Sequence, residues 1–332
     1  MVNIKKITVS ILSLLMCNSF YFSTSFAMTQ QQYQQQQEEV KLNSYYQAGI
    51  NAYKKGNYQQ ALQYFEPLQN KLDKNKDYNT MVGDSFRNLN RPQNAIPFLT
   101  KAIQLGSINY TTLTGLGYSY MDINNYQKAY GYLKKATEMY PKQPDPYWNL
   151  GVTCLQLKND TCALNSFTSL VSVKPNYAPD PYVYIGDIYK AHNKATETIN
   201  AYATGVKYFN TNPLLNFLTG DMFYLNTKYE NAIPYFLTAV DYQPDYLDAY
   251  YELGGSYLEL DDLDRATNVC SAMIQVNSKD EKTKDLCNAV EQKRMQKLME
   301  QQMMQEQMQR DIDQQNQDVM DMQAQQMASV GM

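Results

Sequence analysis

Tyr147-Trp148-Asn149-Leu150-Gly151-Val152-Thr153-Cys154, a turn at Lys158-Asn159-Asp160, and then Ala163-Leu164-Asn165-Ser166-Phe167-Thr168-Ser169-Leu170 decide the fold. Each run places apolar or small residues at i, i+3, i+4 and i+7, one face of a helix; Pro175 closes the second. The pair reads as a helical hairpin, and the hairpin recurs. Gly151 belongs to the series Gly49, Gly83, Gly117, Gly151, Gly186, Gly220, Gly254, with steps of 34, 34, 34, 35, 34 and 34, which takes half of the chain's 14 glycines. Twelve residues after each stands Ala61, Ala95, Ala129, Ala163, Thr198, Ala232 or Ala266, in matching steps. Self-similarity at this period marks stacked helical units. Each glycine is expected to face the alanine of its own hairpin, so that the two axes approach closely. Asp145-Pro146, Asp180-Pro181 and Asn212-Pro213 are expected to put a capping side chain ahead of a first-turn proline.

The spacing Tyr147-x2-Leu150-Gly151-x2-Cys154, Ala163-x3-Phe167 and Pro175 resembles the tetratricopeptide repeat (TPR), as does Leu113, Leu116, Gly117, Tyr120, Ala129, Leu133, Ala136 and Pro141. Seven units fit, at 42–75, 76–109, 110–143, 144–178, 179–212, 213–246 and 247–280, with Thr198, Asn216 and Ala48 as departures from the pattern. The resemblance implies an all-α, right-handed α-solenoid of seven hairpins with a concave groove. Ser278-Lys279-Asp280-Glu281 reads as a capping box that launches a capping helix over 281–294, carrying Leu286, Ala289 and Val290. A Gln-rich linker, 28–41, is expected to be disordered, and a Gln- and Met-rich tail, 295–332, helical or disordered.

The opening, with Lys5 and Lys6, an apolar run from Ile7 to Met16 and Ser25-Phe26-Ala27, reads as a signal peptide, 1–27. Export to a bacterial periplasm is expected, with an extracellular or outer-membrane-associated location as the alternative. Met16 ahead of Cys17 fits a lipoprotein box poorly. Four cysteines then remain. Cys154 and Cys162 each lie four residues from Lys158, and Cys270 and Cys287 lie eight and nine from Ser278. Residues equidistant from the turn of a helical hairpin come side by side, so both pairs are disulfide candidates; four buried thiols are the alternative.

Composition removes several functions. Lys+Arg 29 against Asp+Glu 33 gives −4, or 27 − 33 = −6 without Lys5 and Lys6, which speaks against nucleic acid as a partner. His192 is the only histidine and sits in a turn without a nucleophile beside it. No phosphate loop, dinucleotide fingerprint or zincin motif occurs, so no catalytic residue, cofactor or metal is expected. In TPR arrays the second, fifth, ninth, twelfth and thirteenth residues of each leading helix line the groove. That implies Tyr46, Tyr53, Asp84, Tyr118, Met121, Trp148, Val152, Leu155, Asp187, Phe217, Asp221, Tyr224 and Tyr251 as partner-binding residues. Few cations lie among them, which rejects a chaperone-tail clamp and suits an apolar or mildly basic peptide. The rival reading of those aromatics is packing between repeats.

The expected function is therefore a non-enzymatic interaction scaffold of the cell envelope. For such proteins the family implies assembly, secretion or pilus machinery or host interaction, including peripheral association with envelope complexes. Two alternatives rest on the tail. Met295, Met299, Met303 and Met308, read as one helical face with Met304 beside it, suggest copper(I) handling. Ile312, Val319 and Met322 in a weak heptad pattern suggest self-association into a structural assembly.

Overall fold

The computed structural model describes residues 30–331, so the signal-peptide reading and Cys17 lie outside the described residues. The chain divides into two compact units, one ending at Ser107 and one beginning at Ile108. Among the described residues all regular structure is helical. The first unit holds two hairpins: Gln30–Lys54 with Tyr58–Phe65, and Lys76–Asn88 with Pro92–Gln104. The second holds five: Tyr110–Asp122 with Tyr126–Met139, Pro144–Gln156 with Asp160–Val173, Asp180–Ala191 with Ala195–Tyr208, Pro213–Leu225 with Tyr229–Tyr242, and Leu247–Glu259 with Leu263–Asn277. Each unit is thus a run of stacked hairpins, an α-solenoid.

Close packing follows from the glycine register, though not in the way the sequence suggested. A Cβ added at Gly151 would lie 2.5 Å from the Phe167 ring, and one at Gly83 would lie 2.6 Å from Leu99. The group each glycine accommodates is the large residue sixteen positions on: Phe65, Leu99, Leu133, Phe167, Tyr202 and Phe236. The alanines twelve on are all fully buried, and Thr198 shares that burial because its hydroxyl donates to the Lys194 carbonyl at 2.9 Å. Asn216 departs from the pattern usefully: its amide donates to the Asn210 and Asn212 carbonyls, both at 2.9 Å, tying down the loop ahead of its helix.

A second register closes the hairpins. Gly56, Asn90, Asn124, Lys158, Asn193, Thr227 and Asp261, each seven residues after a series glycine, have positive φ. The residue after each donates back to a carbonyl five positions earlier, as Asn125 does to Tyr120 at 2.8 Å and Asp262 to Tyr257 at 2.8 Å. This is the Schellman closure of a helix on a left-handed residue.

Several expected details change. Of the three predicted caps only Asn212 acts, accepting from the Leu215 amide at 2.9 Å; Asp145 and Asp180 lie inside the first turns of their helices. The stretch expected to be a disordered linker is helical from Gln30 onward, continuous with the first leading helix. The first trailing helix breaks at Pro67 into a 3₁₀ turn, Glu66–Leu68, and a short helix, Gln69–Leu72, because a proline inside a helix removes a hydrogen bond. At the other end the cap is Asp280, accepting from the Thr283 amide at 3.3 Å, rather than Ser278.

The helix that follows runs unbroken from Glu281 to Val330. It caps the last hairpin through Leu286, which fills the space left at Gly254. Position 270, sixteen after Gly254, carries Cys270 instead of a large side chain and pairs with Cys287 on the capping helix. The two bridges are Cys154–Cys162 and Cys270–Cys287, with Cα separations of 5.7 and 5.3 Å. Asn288, 34 residues after Gly254, is exposed where a next glycine would fall.

Candidate functional site

In the first unit, Tyr46, Tyr53 and Asp84 lie on the leading helices, but a network absorbs the carboxylate. The Tyr53 hydroxyl donates to Asp84 Oδ2 at 2.7 Å, and Arg87 donates from Nε at 3.1 Å and from Nη2 at 3.0 Å to Oδ1. Asp84 is 6% exposed, so it serves the stack rather than solvent. Burial, and then its bond to Asp84, push the Tyr53 hydroxyl well above the ordinary phenol range. Tyr46 is half-buried against Phe65 at 6.3 Å.

In the second unit the same geometry recurs. Tyr53 and Asp84 hold the twelfth position of one repeat and the ninth of the next; Lys190 and Asp221 stand in the same relation, joined at 3.2 Å. Tyr224 repeats it toward Gly255, where a Cβ would meet its hydroxyl at 3.0 Å. A twelfth-to-ninth ladder therefore crosses the seams between hairpins, and sequence spacing alone did not reveal it.

Asp187 is held differently. Tyr202 is fully buried on the trailing helix with its ring against Gly186, and it reaches through the hairpin to donate to Asp187 Oδ1 at 2.5 Å. Asp187 itself is exposed, and among the described residues no ion pair engages it, since Lys190 turns to Asp221. A buried phenol thus fixes one oxygen of an exposed carboxylate. The signal was present in the sequence: Tyr202 is the one tyrosine in a position otherwise filled by Phe, Leu or Cys.

The aromatics divide. Trp148 packs in a seam, with Phe167 at 5.7 Å, Tyr184 at 6.0 Å and Tyr177 at 6.2 Å. Phe217 does likewise between Tyr246 at 5.0 Å and Phe236 at 6.0 Å. Tyr118, Met121, Val152, Leu155, Tyr224 and Tyr251 are half-buried on the same face. Lys282 lies over the Tyr251 ring at 5.7 Å while pairing with Asp248 at 2.5 Å. Burial, followed by the charge on Glu252, pushes the Tyr224 hydroxyl up to about 12. Glu252 is itself raised, first by burial and then by Asp221, against the opposing pull of Lys282. The electrostatic character of this end is acidic, its nearby cations already spent on Asp221 and Asp248.

His192 faces Asp160 at 3.1 Å with both side chains about half exposed. Among the described residues no cluster of three or more His, Cys, Asp or Glu is arranged to hold a metal. The continuous tail helix also splits the methionine set: at 100° per residue, Met295, Met299 and Met303 lie within about 80°, while Met308 falls roughly 140° round from Met303, so the four do not share one face.

Sequence profiles described as tetratricopeptide repeat match residues 46–107 and 223–275 and residues 110–143. No curated protein matches the chain in sequence. Among solved structures, the C-terminal part of a TPR repeat-containing protein from Cytophaga hutchinsonii aligns with a TM-score of 0.59 and 13% identity, over 73% of this chain and 98% of that one. A tetratricopeptide repeat protein from Parabacteroides merdae gives 0.46 and 16%, over 76% and 99%. YrrB, described as a TPR protein with an unusual peptide-binding site, gives 0.48 and 19%, over 56% and 95%. At these identities the likeness concerns the fold alone.

Proposed function

The chain belongs to the tetratricopeptide repeat family, and we propose that it is a non-catalytic scaffold whose leading-helix face in residues 108–280 captures an apolar, mildly basic peptide segment. The observation that carries this reading is Asp187, exposed, free of any ion pair among the described residues and oriented from behind by buried Tyr202. Along the same leading-helix face lie half-buried apolar and aromatic side chains, Leu155 and Tyr224 included. Rings supply buried area and a positioned carboxylate supplies register, the usual division of labour in peptide recognition. The two cystine bridges support an oxidising compartment. With the basic and apolar opening of the sequence, they favour an exported, periplasmic protein acting in envelope assembly.

The test is selection of displayed peptides on the full-length oxidised protein, followed by titration read from Trp148, the single tryptophan. Selected peptides should carry Lys or Arg beside apolar residues. Asp187→Asn should weaken them by roughly tenfold, the loss of one charge-assisted contact, and Tyr224→Ala by a similar factor. Peptides without basic residues, or equal binding by both variants, would sink the reading.

A further inference from the structure

The long C-terminal helix leaves the array after Lys297, which pairs with Asp261 at 2.6 Å. From Leu298 to Met327 every residue is exposed. Hydrogen bonds in this stretch run along the helix itself, from Gln307 to Asp311, Gln309 to Asp313, Gln314 to Asp318 and Gln317 to Asp321, at 2.8–3.0 Å. Such i, i+4 pairs stabilise a helix without a body to lean on. At 100° per residue, Leu298, Met304, Met308, Ile312, Val319 and Met322 share one side, with glutamines between them. The seven charged residues of 298–331, from Glu300 to Asp321, all lie on the other side. An arc of roughly 200° carries no charge.

Charge placement decides what covers this face. A basic or acidic peptide finds no counter-charge on it. A lipid surface wants cations along the rim, and here the rim holds six acids and one arginine. The same face of a second copy meets it with apolar groups opposite apolar groups, glutamine near glutamine and the acids turned outward, so a two-fold contact is self-complementary. We infer that two copies of this chain associate through residues 298–327, each burying the uncharged side of its C-terminal helix against the other. The contact runs about 45 Å at 1.5 Å per residue. Glutamines interrupt the apolar stripe, which sets the pair apart from a strict coiled coil and makes it weak and concentration-dependent.

Sedimentation equilibrium of the full-length oxidised protein, from about 1 μM to about 1 mM, spans the range of weak affinities. The wild type should pass from monomer to dimer. Ile312→Glu with Val319→Glu should raise the midpoint at least about tenfold, and the milder Ile312→Gln with Val319→Gln should raise it less. Asp313→Asn, on the charged side, should leave it in place, with helix content by circular dichroism equal throughout. A chain monomeric over the whole range, or a dimer unmoved by the glutamate pair, would overturn the inference. So would a monomer that co-sediments with phosphatidylglycerol–phosphatidylcholine vesicles, since the face would then serve a membrane. None of these readouts depends on the peptide groove.

Discussion

Replacing Gly186 by alanine measures how tightly a hairpin closes. A Cβ there would stand 2.1 Å from Cε1 and 2.5 Å from Cδ1 of the Tyr202 ring. Ordinary carbon contacts begin near ~3.5 Å, so the ring would have to retreat by roughly 1.4 Å. It has nowhere to go, being fully buried and tethered at its hydroxyl to Asp187 at 2.5 Å. Overpacking of this kind costs about 1–3 kcal/mol, and breaking a hydrogen bond to a charged acceptor adds about 1.5–3 kcal/mol. Alanine's better helix propensity returns about 1 kcal/mol. The net is a destabilisation of about 3 kcal/mol. Gly151→Ala meets Phe167, which lacks the tether, and should cost about 1 kcal/mol by the same sum. Gly131, exposed on its helix with nothing within 4 Å of a built Cβ, should gain about 1 kcal/mol as alanine. Urea unfolding followed by circular dichroism gives the three midpoints, with peptide-level hydrogen exchange to assign the loss to residues 180–208. The reasoning is refuted if Gly186→Ala ranks with Gly131→Ala, or if Gly151→Ala proves the worse of the two buried sites.

Thr227 holds a left-handed conformation, φ 57°, that costs a β-branched residue about 1–2 kcal/mol, so Thr227→Gly should raise the urea midpoint while Gly56→Thr lowers it. The Cys270–Cys287 bridge closes a loop of sequence separation 17, worth about 3 kcal/mol in the loop-entropy account; Cys270→Ala with Cys287→Ala should speed hydrogen exchange over 281–297 and spare 110–140. Intact mass with and without reductant should show both bridges in protein taken from its native compartment. Glu252 has its carboxyl raised by burial and by Asp221, so the folded chain holds that proton more tightly than the unfolded one. Acidification through the carboxylate range therefore adds stability through Glu252, and neutral pH withdraws it. Glu252→Gln should raise the melting temperature at neutral pH, by an amount that shrinks on acidification; a gain that widened instead would contradict the assignment.

The repeat period was legible because backbone packing repeats: small residues must recur wherever two helices touch, whatever the surface does. Less legible was the partner of each glycine. Residues 12 and 16 positions on both sit on the facing helix, and only the side chain's direction decides that Phe167, not Ala163, crosses to Gly151. The left-handed turn position stood seven after each glycine, largely as Asn, Asp and Gly, but Lys158 and Thr227 disguised it. The ladder joining Lys190 to Asp221 and the buried support of Asp187 by Tyr202 depend on the offset between neighbouring hairpins, which no single period encodes. Pro67 passed unread: the first trailing helix breaks there and resumes beyond it, with Leu68, 2% exposed, held in the core.

Cys270 makes the closing of the array a property of one position. Every earlier hairpin seats its own ring or leucine against its glycine, whereas the last leaves the space at Gly254 to Leu286 of the following helix, and Cys270 bonds that same helix at Cys287. One small residue thus vacates the seat and fastens its new occupant, so the end of the stack and the helix that seals it are specified together.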